Sequence, residues 1–373
     1  MANVNLPRRL NYCQSILVFS LALCTLFGCT PKQDAAELWQ NYAKRLNYVL
    51  ADDSKATELV LTAPQLSMAP FTAKLDAGHR QSSTLLKQET SATISLLDLA
   101  SLDSCALGQL IASHNNSLGK VATASQQLVY LIRFIQVAPI CISQLEDTEL
   151  KVILEQALAE KKLIAVSEFN HFLQRDQTIA KRLFIGSTSL EKSTALYGLS
   201  ETELALNQLL NIKTAMTQQR FDTINANAIE ASLDTLNRSN ILNGYFTSLT
   251  LNQSYLAQIS TFLELHTKDA LCEPGHRNNK TEILINVFNK YFLSDIQGYG
   301  SDLATIEYRL APVMSALFRQ TKYQYFIDAY FGDANNSSDT LAINTQNRTE
   351  FKRHVAWWKQ ILESCGETRT KAP

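Results

Sequence analysis

The chain has 373 residues, with 34 Lys and Arg against 35 Asp and Glu, so its formal net charge is −1. A nearly neutral chain with no block of like charge carries no electrostatic footprint for nucleic acid and no charged interaction tail. Only 12 Gly and 8 Pro occur, few of them inside the periodic stretches, which favours long helices over many short strands.

At the N-terminus, Arg8 and Arg9 precede an apolar run from Ile16 to Phe27 that is broken only by Ser20 and Thr25. A charged head and about a dozen apolar residues make an export signal, well short of the roughly 20 residues of a membrane-spanning helix. No Ala-x-Ala-like cleavage site precedes Cys29, and Leu10-Asn11 does not continue a twin-arginine motif, so ordinary secretory export is expected. Leu26-Phe27-Gly28-Cys29 resembles the lipobox of bacterial lipoproteins, with Phe27 bulkier than the usual occupant. That resemblance implies cleavage after Gly28, diacylation of the Cys29 thiol and acylation of its new amine. Several acyl chains on one residue form a stable membrane anchor, because each buried methylene contributes about 0.8 kcal/mol. Thr30 follows the cysteine where an Asp would retain the protein in the inner membrane, which points to the outer membrane. The chain then reads as a signal peptide over 1–28, a lipidated cysteine with its tether over 29–34, and a helical domain over 35–373. A sub-domain boundary near 190–200 is compatible with the pattern.

Seven cysteines sort by position. Cys13 and Cys24 leave with the signal and Cys29 carries lipid, so Cys105, Cys141, Cys272 and Cys365 remain. In an oxidising compartment four cysteines allow three pairings. Neighbour pairing, Cys105 with Cys141 and Cys272 with Cys365, follows the sequence grouping, and each bridge would contribute roughly 2–4 kcal/mol. The competing reading is a metal site, but no pair has C-x-x-C spacing and no histidine lies at finger spacing. The tightest cluster of ligating residues, His266, Cys272, Glu273 and His276, reads better as a helix end stapled by Cys272. Neither metal nor another cofactor is expected.

After the tether, Leu38, Tyr42, Leu46 and Val49 or Leu50 lie on one stripe and predict a helix over 35–50, with Lys44 and Arg45 facing away. Residues 51–71, with Pro64 and Pro70, read as a partly extended connector. A second helix is expected from about Gln88 to Asp103. An apolar helix follows through Leu128, Leu131, Ile132, Ile135 and Ile140 to Cys141. Asp147 or Thr148 caps the next, with Leu150, Ile153 or Leu154, Ala157 or Leu158 and Leu163 inside and Glu155, Glu160, Lys161 and Lys162 solvated. Residues 175–188 read as a break or short helix. Ser200 and Glu203 form a capping-box signal that opens one long helix towards Asn237. A further helix from Ile241 to Leu263 would pair with it antiparallel through a joint at Arg238-Ser239. A loop at 272–276 leads to helices over 283–296, 304–319, 323–331 and 349–365, with Gly298 and Gly300 as punctuation and a polar loop over 333–339. Residues 368–373 read as a frayed end. The expected fold class is an all-α, multi-helix bundle-like ectodomain.

Leu38-Trp39-Gln40-Asn41-Tyr42 with Arg45-Leu46, and the stretch from Leu97-Asp98-Leu99 through Cys105, Leu107-Gly108-Gln109-Leu110-Ile111 and His114-Asn115-Asn116-Ser117-Leu118-Gly119-Lys120 to Cys141, resemble an uncharacterised lipoprotein family of proteobacteria. The family is catalogued as a domain of unknown function, number 3080. Where its members carry Arg ahead of Asn-Ser-Ser-Leu-Gly, this chain has His114 and Asn115-Asn116-Ser117. The resemblance implies a localisation and brings no activity.

No Walker loop, G-x-G-x-x-G, H-E-x-x-H or G-x-S-x-G occurs. The candidate binding loop is His114, Asn115, Asn116, Ser117 and Lys120: its amides and hydroxyl could meet a peptide or glycan, and Lys120 a negative group. The same residue types also make an ordinary helix–helix turn, with Gly119 at a positive φ. Ser117 as a nucleophile with His114 as its base lacks any recognisable oxyanion hole. The aromatics Tyr323, Tyr325, Phe326, Tyr330, Phe331, Trp357 and Trp358 read as core at helical spacing, with one of the adjacent tryptophans at a margin. The leading functional expectation is a non-enzymatic binding or scaffolding component of the envelope, partnered with the membrane through lipid and with an envelope protein or glycan. The alternatives are an enzyme acting on envelope material through a site assembled from distant residues, and a binder of an apolar ligand between helices.

Overall fold

The computed structural model describes residues 33–50, 58–66, 102, 105–184, 186–266, 271, 278–332 and 341–365. The expected signal peptide over 1–28, Cys29 with the expected tether up to Lys32, the helix expected over 88–103 apart from Leu102, and the expected loops at 272–276 and 333–339 and frayed end at 368–373 lie outside them. Among the described residues the chain is all-α, its one extended pairing being an isolated antiparallel bridge between Asp34 and Glu191.

The helices are α1 (Ala35–Leu50), α2 (Ala106–Asn115), α3 (Ala124–Gln144), α4 (Thr148–Arg175), α5 (Gln177–Leu183), α6 (Leu199–Thr217), α7 (Asn227–Arg238) and α8 (Ile241–Glu264). They continue as α9 (Asn279–Val287), a π-helical stretch Phe288–Ile296 that runs without interruption into α10 (Gln297–Phe318), then α11 (Gln324–Phe331) and α12 (Ile343–Ser364).

Helix α1 is the centrepiece. Its stripe of Leu38, Trp39, Tyr42, Leu46, Val49 and Leu50 is buried against α8, α9 and the π-helical stretch. Each fully buried large apolar side chain contributes about 1.5–3 kcal/mol. The buried polar atoms on this stripe are paired. The Trp39 indole N–H donates to Asn252 Oδ1 at 2.9 Å, and Asn252 Nδ2 donates to Asn347 Oδ1 at 2.7 Å. The Trp358 indole N–H donates to the Tyr42 hydroxyl at 2.9 Å and to His354 Nε2 at 3.1 Å. Helices α1, α8 and α12 are thus cross-bonded as well as packed, and the unpaired alternative would cost about 1–3 kcal/mol per buried group.

Hydrophobic residues on both sides of 190–200, such as Phe169 and Leu173 before it and Leu206 and Leu209 after it, share one core. A smaller cluster forms where α2, the second half of α3 and the first half of α4 meet, around Leu107, Ile111, Phe134, Ala138, Leu150 and Leu154. Cys105 and Cys141 are disulfide-bonded there, with Cα atoms 5.9 Å apart, tying the start of α2 to the end of α3. Cys365 is also disulfide-bonded, and its partner lies outside the described residues. Helix α3 is long and apolar enough to cross a membrane, yet its inner side is packed against α2 and α4.

Several expectations are corrected. The single helix from Ser200 to Asn237 is two, α6 and α7, which pack on each other; the chain reverses at Gln218–Arg220, with Gln219 in the left-handed region at φ 58°. The helical hairpin therefore lies one joint earlier than Arg238-Ser239. Helix α6 starts at Leu199 behind Gly198 at φ 82°, and Ser200 and Glu203 both bind Arg309 of α10 instead of forming a capping box. Gly298 and Gly300 sit inside continuous helix; a Cβ on Gly300 would meet the Phe351 ring at 2.7 Å, so this glycine serves packing with α12. Ile140 and Leu163 are exposed. Trp357 and Trp358 are both buried, at 8% and 0% exposure, because they stack edge to face and the Trp357 N–H reaches the His266 carbonyl.

Candidate functional site

The loop 114–120 closes the end of α2 and turns the chain into α3. Asn116 makes the turn: its Oδ1 accepts from the Gly119 N–H at 2.8 Å and its carbonyl from the Lys120 N–H at 3.2 Å. Gly119 is not at positive φ, contrary to expectation. A Cβ there would lie 1.9 Å from the His114 carbonyl oxygen, so the glycine is needed for close approach. Thr123 then caps α3 through a reciprocal capping box with Gln126. These local bonds hold His114 in place at the last turn of α2.

From that position the His114 imidazole stacks flat on the Tyr130 ring of α3, with centroids 3.7 Å apart and planes within 6°. Lys161 of α4 brings its ammonium to 5.4 Å from the Tyr130 centroid and 4.9 Å from that of Phe134. The three side chains border a cleft of about 570 Å³, whose remaining polar wall is Asn115, Lys120, Gln127 and Glu168. Burial lowers the His114 pKa, and the Lys161 charge lowers it further. Burial also lowers Lys161, partly offset by Glu168 and Glu160, and pushes Tyr130 up to about 12. Two ammonium groups facing one carboxylate bias the cleft towards a negatively charged ligand, while the aromatic corner and the amides suit a flat, hydrogen-bonding surface.

Of the predicted loop, the structure brings His114, Asn115 and Lys120 to the cleft. Asn116 is spent on the turn, and Ser117 is exposed and absent from the lining. Among the described residues no hydrogen bond links Ser117 to His114, whose ring is stacked on Tyr130. Tyr130, Gln127, Lys161 and Glu168 were not expected. Lys161 reads in the sequence as part of a solvated face, yet its stem crosses two aromatic rings. An aromatic at 130, beside the apolar stripe of α3 instead of on it, was the one signal available.

The family model described as a protein of unknown function, DUF3080, matches residues 39–368. The chain belongs to that family. No curated protein and no solved structure matches it. In this DUF3080 chain the matched span includes all but the first turn of α1, the disulfide-stapled cluster and every residue of the cleft. Among the described residues no group of three His, Cys, Asp or Glu is placed to hold a metal ion. The aromatics at 323–331 and 357–358 belong to the core: Tyr323, Phe326, Tyr330 and Trp358 are buried, and Tyr325 is the exposed member.

Proposed function

We propose that this DUF3080 chain is a lipoprotein anchored at Cys29, facing the periplasm at the outer membrane, that binds an acidic envelope glycan without transforming it. The anchor and its location rest on the Leu26-Phe27-Gly28-Cys29-Thr30 run behind an export signal. The single observation that supports binding is the aromatic corner of the cleft, where His114 lies on Tyr130 and Lys161 lies over the same ring. A saccharide packs its apolar ring face against the His114 imidazole that Tyr130 backs, its hydroxyls meet Asn115 and Gln127, and its carboxylate meets Lys120 and Lys161.

The test is fluorescence anisotropy with labelled acidic saccharide fragments of the envelope polymer. Saturable binding is expected, weakened at least about tenfold by Tyr130→Ala or Lys161→Met, since a buried aromatic or charged contact contributes about 1.5–3 kcal/mol. Absence of saturable binding, or equal binding by both variants, would overturn the reading. Turnover of the saccharide would replace it with the enzymatic one.

A further inference from the structure

The chain just ahead of α1 is pinned to the segment that precedes α6. The Lys192 N–H donates to the Gln33 carbonyl at 2.9 Å, Asp34 forms its antiparallel bridge with Glu191, and the Ala35 N–H donates to Ser189 Oγ at 3.2 Å. Ser189 and Glu191 also border a second cleft, of about 640 Å³, closed by the start of α6, the end of α7 and the start of α8. Gln33 stands four positions after Cys29, and four residues reach at most about 14 Å whatever path they take. An acylated Cys29 is therefore held close to the wall of this cleft, which opens beside the headgroup layer.

The lining suits a ligand from that layer. Leu190 and Ile241, both buried, give the cleft an apolar base, and Gly244 lets Leu190 lie on α8, since a Cβ there would meet Leu190 Cδ2 at 2.6 Å. Tyr197 borders the cleft at 86% exposure, with Leu196 half-exposed beside it. Their turn is fixed by its own hydrogen bonds, Tyr197 N–H to the Thr194 carbonyl at 2.9 Å and Leu199 N–H to the Leu196 carbonyl at 3.2 Å, and by Gly198 at φ 82°. A tyrosine held out in this way, apolar ring and polar tip together, suits a membrane–water interface. Glu201 from the first turn of α6 and Arg238 from the last turn of α7 bring opposite charges to the same cleft. Arg238 pairs with Asp234 at 2.8 Å, but both are well exposed, and such a pair contributes little and leaves the guanidinium able to take a phosphate. With Glu191 also on the wall, carboxylates outnumber the guanidinium. A ligand bearing phosphate alone is opposed, and one that brings its own ammonium is favoured.

We propose that this cleft binds the headgroup of a membrane phospholipid of the phosphoethanolamine class, with its ammonium at Glu201, its phosphate at Arg238 and Tyr197 in the interface beside it. The proposal rests on the anchored reading of Cys29 and is independent of the cleft at His114.

The test is co-sedimentation of the full mature chain, carrying Cys29→Ser so that no acyl group contributes, with three kinds of vesicle: phosphatidylcholine alone, and the same lipid mixed with phosphatidylethanolamine or with phosphatidylglycerol. Binding to the phosphatidylethanolamine vesicles is expected to be at least about tenfold tighter than to the other two, and Glu201→Gln or Arg238→Gln to remove that preference. Both side chains are exposed, so these variants keep the fold. Equal binding to all three vesicles, or a preference that survives both substitutions, would overturn the proposal. Water-soluble glycerophosphoethanolamine is expected to compete only weakly; competition as tight as vesicle binding would assign the cleft to the free headgroup and overturn the membrane assignment. Because the tested chain is not acylated, a failed anchor shows separately, as a chain without lipid at Cys29.

Discussion

Single side chains in this protein carry two separable electrostatic consequences. His354 is buried among Tyr42, Phe292 and Trp358, with its Nε2 accepting from the Trp358 N–H. Its Nε2 also faces the Tyr42 hydroxyl at 3.0 Å, and burial disfavours the charged imidazolium and pushes its pKa down to about 3. An unfolded chain binds that proton near pH 6.5, so between about 6.5 and 3 the unfolded state holds more protons and stability falls as pH falls. The expected slope from this one group is about 1.4 kcal/mol per pH unit. Urea unfolding from pH 7 to 4 should show it in the native chain, and a His354→Gln variant should have a slope shallower by that amount. Equal slopes would place His354 elsewhere. At the cleft, Lys161→Met removes one of the two influences that lower His114, so the His114 pKa is expected to rise while staying below 6.5, as followed by imidazole NMR. Gly119→Ala sets a methyl against the His114 carbonyl and is expected to destabilise the loop by about 1–3 kcal/mol in the same urea assay.

At the scale of elements, α2 and α3 are held together by Cys105–Cys141 and, with the turn between them, carry most of the cleft wall. Replacing both cysteines with serine is expected to lower stability by roughly 2–4 kcal/mol in denaturant and to loosen the His114–Tyr130 stack. Because Cys365 is bonded beyond the described residues, non-reducing peptide mapping is expected to return a Cys272–Cys365 peptide beside Cys105–Cys141. Much of this level was legible in the sequence. The α1 stripe, the Asp147 cap of α4 and the span of α8 follow directly from apolar spacing and capping chemistry. The break between α6 and α7 was not legible, because Gln218-Gln219-Arg220 contains neither Gly nor Pro and its reversal is imposed by α7 packing back onto α6. Gly300 misled for the opposite reason: its small size answers a tertiary contact with Phe351, which local spacing does not encode. The cleft was half legible, since the loop residues are contiguous whereas Lys161 and Glu168 come from another helix.

Among the described residues, one large core spans α1 and α3 to α12, and a smaller stapled cluster carries the candidate binding cleft at its side. The membership of the chain in the DUF3080 family covers nearly all of this body and supplies no chemistry, so the functional account stands on the anchor and the two surfaces. On the proposed lipoprotein, several acyl chains on one residue would hold the binding cleft at the membrane surface. The most direct measurement is intact mass spectrometry of the protein extracted from membranes. A chain beginning at Cys29 and carrying the mass of its acyl chains is the expected result. A chain that begins at Met1 and bears no lipid would contradict the anchored, periplasm-facing account.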